Sequence, residues 1–368
     1  MVKYHWIRVR VRIILFCLVT GFTTYAQEDS LQQADPVFTL SGYLDIFYTY
    51  DFNQPITDYR QTFFYNYNRH NEVNLNLGYI KLEANHTNYR AALAFQSGTY
   101  PHDNYAQEPA PYGHIFEAHA GIALSKKNNV WLDVGIMPSH IGFESAVAYD
   151  NQTLTRSLVA ENSPYYLTGV KVTHQPSEAL SISLLMCNGW QRIQRLPGNS
   201  LPGFGTQVQY ERKQLVFSWN TFFGTDDPDS VRRLRFYNNV YATWTLSAKA
   251  ALTAGFDVGF QQETKGSSTY QVWYSPVIIF NYRMTDKWSV ALRGEYYADA
   301  SQVIIVTDTK NGFKTAGLST NFDYQPFRYL RCRIEARWLK SADSLFTNGT
   351  TATDSNLFVT SSVVVTIK

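Results

Sequence analysis

No run of apolar residues in this chain is long enough to cross a bilayer as a helix. The nearest candidate, Ile13 to Phe22, is about half the roughly 20 residues that a spanning helix needs. Any membrane crossing must therefore be made by strands. Cysteine is scarce, at three in 368 residues, which excludes a disulfide scaffold. Cys17 lies in the early apolar run without a lipid-anchor pattern. Cys187 and Cys332 fall on segments about eight apart around a closed ring, too far to be bridged, and read as free thiols. Histidine is also sparse, and His114 and His119, five apart in one extended segment, point to opposite faces. The clustering that a metal site needs is missing, so neither metal nor cofactor is expected. There is no internal repeat beyond a hairpin rhythm and no linker to a second domain.

Residues 1–26 have the form of a secretory signal peptide. Lys3, Arg8, Arg10 and Arg12 make a basic start, the apolar run follows, and Thr24-Tyr25-Ala26 offers small residues for cleavage before Gln27. Removing those four basic residues takes the formal charge from +2 to −2, which argues against a nucleic-acid partner. Residues 27–36 read as a short periplasmic tail, too short for a plug domain.

What the chain has in abundance is β-type segments, about sixteen of them. They fall near 37–51, 71–85, 88–98, 113–124, 130–138, 164–174, 180–188, 203–211, 214–224, 236–246, 250–262, 270–283, 287–297, 313–324, 329–340 and 355–367. Short polar links such as His86-Thr87 and Thr285-Asp286 alternate with long loops, including 52–70, 99–112, 139–163, 190–202, 225–235, 298–312 and 341–354. A transmembrane barrel needs strands of roughly 9–11 residues with short periplasmic turns and long external loops. The fold class expected over 37–368 is thus all-β, an antiparallel up-and-down transmembrane barrel of sixteen strands, with fourteen or eighteen as alternatives. Both termini are expected on the periplasmic side.

Side-chain parity agrees with lipid on one face and water on the other. Phe38, Leu40, Leu44, Ile46 and Tyr48 alternate with Thr39, Ser41, Asp45 and Thr49. Leu330, Cys332, Ile334, Ala336 and Trp338 alternate with Arg331, Arg333, Glu335 and Arg337, and Val290, Leu292 and Tyr296 with Arg293, Glu295 and Asp299. An Arg or Lys facing lipid at the midplane would cost roughly 2–4 kcal/mol, so the charged parity must face inward. Aromatic residues gather at segment ends, including Tyr48, Trp219, Trp244, Trp273, Tyr274, Trp288, Tyr296 and Tyr297, as interfacial girdles would require.

Several short motifs, taken in order, resemble the OmpL-like β-barrel porin family of bacterial outer membranes. They are Ser41-Gly42-Tyr43-Leu44-Asp45-Ile46-Phe47-Tyr48, the stretch Gly135 to Glu144, Glu161-Asn162-Ser163-Pro164 with Thr168-Gly169-Val170, Asn188-Gly189-Trp190, Arg293 to Asp299 and Arg331 to Arg337. The chain departs from the usual barrel pattern in ending on Lys368, with Phe358 the nearest aromatic. The resemblance implies an outer-membrane porin that passes small hydrophilic solutes or ions by passive diffusion, in contact with outer-membrane lipid, as a monomer or a homo-oligomer such as a trimer. It does not specify the solute.

In sixteen-stranded porins the third long loop folds inward, and here that loop is 139–163. It carries the expected constriction residues Glu144, Asp150, Arg156 and Glu161. The wall across from it supplies the expected pore-lining residues Arg293, Glu295, Arg331, Arg333, Glu335 and Arg337. Two readings of these charges stand together: a transverse field that selects solutes, or self-neutralising ladders that brace the wall. Catalysis is not expected, because Pro138-Ser139-His140 has no evident orienting partner. The rival to transport is an adhesin or structural barrel acting through loops such as 52–70 and 99–112.

Overall fold

The computed structural model describes residues 35–367. The signal peptide, most of the expected tail and Lys368 lie outside the described residues. Sixteen antiparallel strands close into one barrel. In chain order the first fifteen are β1 (Val37–Asp51), β2 (Val73–Asn85), β3 (Tyr89–Ser97), β4 (Ile115–Ser125), β5 (Val130–Pro138), β6 (Tyr166–Ser177), β7 (Leu180–Cys187), β8 (Gly203–Arg212), β9 (Leu215–Gly224), β10 (Arg235–Thr245), β11 (Ala250–Gln262), β12 (Tyr270–Arg283), β13 (Trp288–Asp299), β14 (Phe313–Phe327) and β15 (Leu330–Ser341). A small hairpin, β16 (Phe346–Asn348) with β17 (Thr351–Thr353), occupies the loop after β15, and β18 (Ser355–Ile367) completes the ring.

Closure depends on β18, which pairs with β1 from Gly42–Ile367 to Asp51–Phe358 and with β15 from Leu330–Val365 to Lys340–Ser355. Both edges of the last strand are thereby satisfied, leaving no open ladder in the ring. The link Glu263 to Thr269 adds an eighth connection on the long-loop side.

Parity follows the chemistry of two solvents. On β15, Ile334 and Trp338 are 47% and 40% exposed, whereas Arg333, Glu335 and Arg337 are 2%, 0% and 1% exposed. On β1, Phe38, Leu40, Leu44 and Ile46 are exposed while Asp45 and Thr49 are buried. Exposed large apolar side chains lie on fifteen of the sixteen barrel strands, on the surface that lipid covers.

Two expectations are corrected inside the ring. Trp219, Trp244, Tyr274 and Trp288 are exposed on the outer face, but Trp273 and Tyr297 are buried and belong to an interior cluster. Trp273 fits there because β11 opposes it with Gly259, where a Cβ would lie 2.0 Å from the indole. The expected wet lumen is also largely packed. Phe63 and Phe64, from the loop after β1, meet Phe313, Phe346 and Phe358, with Phe63 and Phe313 centroids 5.0 Å apart. A second cluster joins Tyr43, Phe47, Tyr67, Tyr100 and Tyr105 to Ala146, Val147 and Leu154. Long loops that look polar in composition thus carry the apolar groups that fill the barrel, and burying them supplies the usual hydrophobic gain.

Candidate functional site

Loop 139–163 threads the interior and must find partners for a backbone that has almost no secondary structure of its own. A buried N–H or C=O left unpaired costs about as much as a lost hydrogen bond. Its regular elements are a 3-10 turn at Ala148–Asp150 and one helical turn, Leu158–Glu161, whose N-cap Ser157 accepts from Ala160 N. The inward side chains of β13, β14 and β15 pair nine of the remaining backbone groups.

The acceptors on this wall take the loop's N–H groups. Leu154 N donates to Asn321 Oδ1 at 3.1 Å, Thr155 N to Glu335 Oε2 at 2.6 Å and Leu158 N to Glu295 Oε2 at 2.6 Å. The arginines take its carbonyls. Arg293 Nη1 donates to Thr155 O at 2.6 Å, Arg337 Nη1 to Arg156 O at 2.8 Å, and Arg333 Nη2 to Asn151 O at 3.1 Å. Ion pairs tie the same groups together: Arg293 to Glu335 at 2.7 Å, Arg337 to Glu295 at 2.6 Å and Arg333 to Asp323 at 2.7 Å. The arginine and glutamate side chains of β13 and β15 are 0% exposed, so the structure takes Arg293, Glu295, Arg333, Glu335 and Arg337 out of contact with water. Arg331 differs, being half-buried at the short-turn end, where it stacks 4.4 Å over Tyr149 and donates to Tyr149 O at 2.9 Å. Tyr149 OH in turn donates to Arg328 O, so the loop reaches from the long-loop end of β5 to the turn between β14 and β15.

The four loop residues also differ from one another. Arg156 is fully buried and donates to Ser145 O, Ala146 O and Leu154 O at 2.6–2.7 Å, knitting the loop to itself. Glu144 accepts from Ser157 N at 3.0 Å and from its hydroxyl, and lies 3.8 Å from Arg293. Burial pushes the Glu144 carboxyl above its ordinary range. Glu161 accepts from Tyr65 N at 2.9 Å and Asn66 N at 3.2 Å, pinning the loop after β1, and burial pushes it up to about 7. Asp150 is exposed and lines an inner cavity.

Sequence reasoning missed the amide and phenol members of this network. Asn239 accepts from Gly142 N, Tyr43 OH accepts from Ala148 N at 2.9 Å, and Tyr67 OH donates to Asp45. Inward parity alone could have found Asn239 and Asn321; the role of Tyr67, on a loop, had no such signal. Ser139 Oγ accepts from Ile141 N and His140 Nε2 meets Thr221 O at 2.8 Å, while His140 Nδ1 is buried without a hydrogen-bond partner.

Open space lies on the opposite side. A cavity of about 410 Å³ runs between the loop and Tyr79, Lys81, Phe116 and Glu117. One of about 300 Å³ is lined by Glu83, Arg90, His119, Asp133 and Lys171. Lys81 is 2.9 Å from Glu117 and 3.2 Å from Glu83, and Arg90 is 2.6 Å from Asp133. These pairs remain partly exposed. A third cavity, of about 280 Å³, sits at the long-loop mouth. Tyr105 and Tyr166, stacked with centroids 4.2 Å apart, stand between the mouth and the 410 Å³ space.

A closed ring with a polar interior, filled by its own third loop, is porin architecture, and comparison of the sequence with protein families agrees. The model of the family described as "Putative beta-barrel porin-2, OmpL-like" matches residues 37–367. The chain belongs to that family. It is a porin of the bacterial outer membrane. Among solved structures it is similar to the anion-selective porin from Comamonas acidovorans, at TM-score 0.60 and 10% identity over 90% of this chain and 100% of that one. It is also similar to OmpT, an outer membrane protein of Vibrio cholerae, at TM-score 0.60 and 10% identity over 92% and 99% of the two chains. The outer membrane channel DcaP of Acinetobacter baumannii aligns at TM-score 0.60 and 11% identity over 90% of this porin and 98% of that chain. At such identities the likeness is one of fold. No curated protein matches the sequence.

Proposed function

We propose that this porin is a narrow-bore diffusion channel whose solutes pass along the β2–β6 side, and that the arginine wall holds the constriction loop without contacting them. The observation that carries this reading is the contrast in exposure. Arg293 and Arg337 side chains are 0% exposed, whereas Lys81 and Arg90 are 19% and 35% exposed beside open cavities. Selectivity then follows from the partly paired charges Lys81, Glu83, Arg90, Glu117, Asp133 and Lys171, since charged side chains around a pore set which ions enter. Arg293, Glu295, Arg333, Glu335 and Arg337 act as braces, with no acid–base or covalent role, and Glu144, Arg156 and Glu161 fix the loop's shape. Asp150 and Arg331 are the members of the expected set with access to solute.

The adhesin reading loses ground because loops 52–70 and 99–112 bury Phe63, Phe64, Tyr67, Tyr100 and Tyr105 inside the barrel. The long loops face outward from the cell and the short turns face the periplasm. Self-association has a precedent in fold, since the OmpT structure described as a trimer form aligns at TM-score 0.57 and 8% identity. Single-channel recording of the refolded protein in planar bilayers tests the reading: small, steady conductance steps are expected. Membranes that stay silent at high protein load would overturn it. Labelling of a cysteine at Lys310 but not at Lys127 in intact cells tests the orientation, as both positions are exposed.

A further inference from the structure

The mouth cavity has orphaned polar groups of both kinds. Asn104, at the end of the short helix Thr99–Asn104, lines it and is 6% exposed, yet neither its Nδ2 donor nor its Oδ1 acceptor has a hydrogen-bond partner. Across the cavity Arg192 Nε is also buried without a hydrogen bond, 3.7 Å from Asp226, whose other oxygen accepts from Trp190 N at 2.9 Å. Buried polar groups left unsatisfied are costly, and clusters of them mark places where something polar binds. The volume of about 280 Å³ would hold about nine waters at ~30 Å³ each, or one compact organic molecule.

The character of that molecule follows from which groups lack partners. An anion would satisfy Arg192 and the Asn104 donor, but it would leave the Asn104 acceptor unpaired and face Glu161 and Asp226, which line the same space. A cation would do the reverse. Asp103, Glu161 and Asp226 share this lining with Arg192 and Arg235, so carboxylates and guanidinium groups are close to balanced around the space. A hydroxyl group donates and accepts at once. Tyr65, Tyr166 and Trp190 add aromatic surface against which a ring's C–H faces can pack.

We propose that this cavity is a binding subsite for a neutral sugar, whose hydroxyls pair with Asn104 and Arg192 among the aromatic rings of Tyr166 and Trp190. The proposal rests on the porin reading only in supposing that solutes enter at this mouth.

Titration calorimetry of the refolded full chain with glucose, maltose and gluconate tests it. Saturable heat with glucose or maltose is expected, weakened about threefold to tenfold by Asn104→Leu, the change that losing one or two neutral hydrogen bonds produces, and about tenfold or more by Arg192→Gln, which removes a charge-assisted one. Because Asn104 gives up no hydrogen bond within the protein, Asn104→Leu is expected to melt no lower than the parent. Binding of gluconate in preference to both sugars would overturn the proposal in favour of an anion site. Absence of saturable heat with every probe would overturn it, as would binding untouched by both substitutions. Sugar binding by a protein that conducts nothing would sink the diffusion reading and leave the subsite standing; conduction without sugar binding would do the opposite.

Discussion

Arg337 on β15 and Lys81 on β2 each face the interior beside a glutamate, 2.6 Å from Glu295 in one case and 2.9 Å from Glu117 in the other. The arginine is 0% exposed and hydrogen-bonded to a loop carbonyl, whereas the lysine is 19% exposed beside an open cavity. The same inward-facing ion pair therefore serves two ends, decided by whether the third loop lies against it. On the β13–β15 side the charges replace water for a threaded backbone, and fixed dipoles there cannot respond to a passing solute. On the β2–β6 side Lys81 and Arg90 keep part of their surface exposed beside open cavities.

The largest test of this contrast is Arg337→Met. Breaking a buried pair by removing one partner costs about 3–5 kcal/mol, here with Arg156 O losing its donor as well. A marked drop in melting midpoint, together with larger or noisier conductance as the loop loosens, is the expected outcome. An unchanged midpoint with a changed ion preference would reverse the roles assigned to the two walls.

A smaller effect is expected at Glu161, which joins the third loop to the first. Its folded-state carboxyl keeps its proton up to about pH 7, whereas an unfolded glutamate releases it near ~4.3. The folded state then binds more protons than the unfolded one across this window. Stability from this group is full below about pH 4.3 and is lost as pH rises through 7. The loss amounts to about 3–4 kcal/mol at most, a figure that already includes the two backbone N–H groups favouring the ionised form. Melting curves at pH 5 and pH 8 should differ in the parent and differ less in Glu161→Gln; equal pH dependence in both would remove Glu161 from the account.

On the water-facing wall the effect is on selectivity. Replacing Lys81 and Lys171 by Met should shift reversal potentials toward cations by about fivefold in permeability ratio, the factor that about 1 kcal/mol for unit charges ~4 Å apart in water produces. Melting should move less than in Arg337→Met. A null shift would place the filter elsewhere. Smallest of all is Lys340→Ala, which breaks the exposed pair with Asp354, 2.6 Å apart with side chains 47% and 44% exposed. Its melting midpoint should stay within error, since exposed pairs contribute little. A clear loss would mean that exposure is the wrong measure for ranking these pairs.

Much of the wall was legible in the amino-acid sequence. Strand limits such as Val130–Pro138 and Ala250–Gln262 match the expected segments, because apolar-out parity and alternating link lengths are local properties of the chain. The arginines of β13 and β15 were legible as inward-facing for the same reason. Their partners were not, because nothing in Arg331 to Arg337 says whether water or a loop from 180 residues earlier stands opposite. Nor did composition say that Phe63, Phe64 and Tyr67, in a loop rich in Asn and Tyr, would turn inward.

What the sequence determined by itself is the periodicity: sixteen crossings, their registerable parity, and the rule that charge must face away from lipid. Those follow from the cost of placing polar groups in hydrocarbon, which every strand meets independently. Tertiary structure alone decided which inward charges stay wet, since that depends on where a long loop comes to rest after closure. Arg293 and Lys81 obey one local rule, and only the packing of residues 139–163 makes the first a brace and leaves the second facing water.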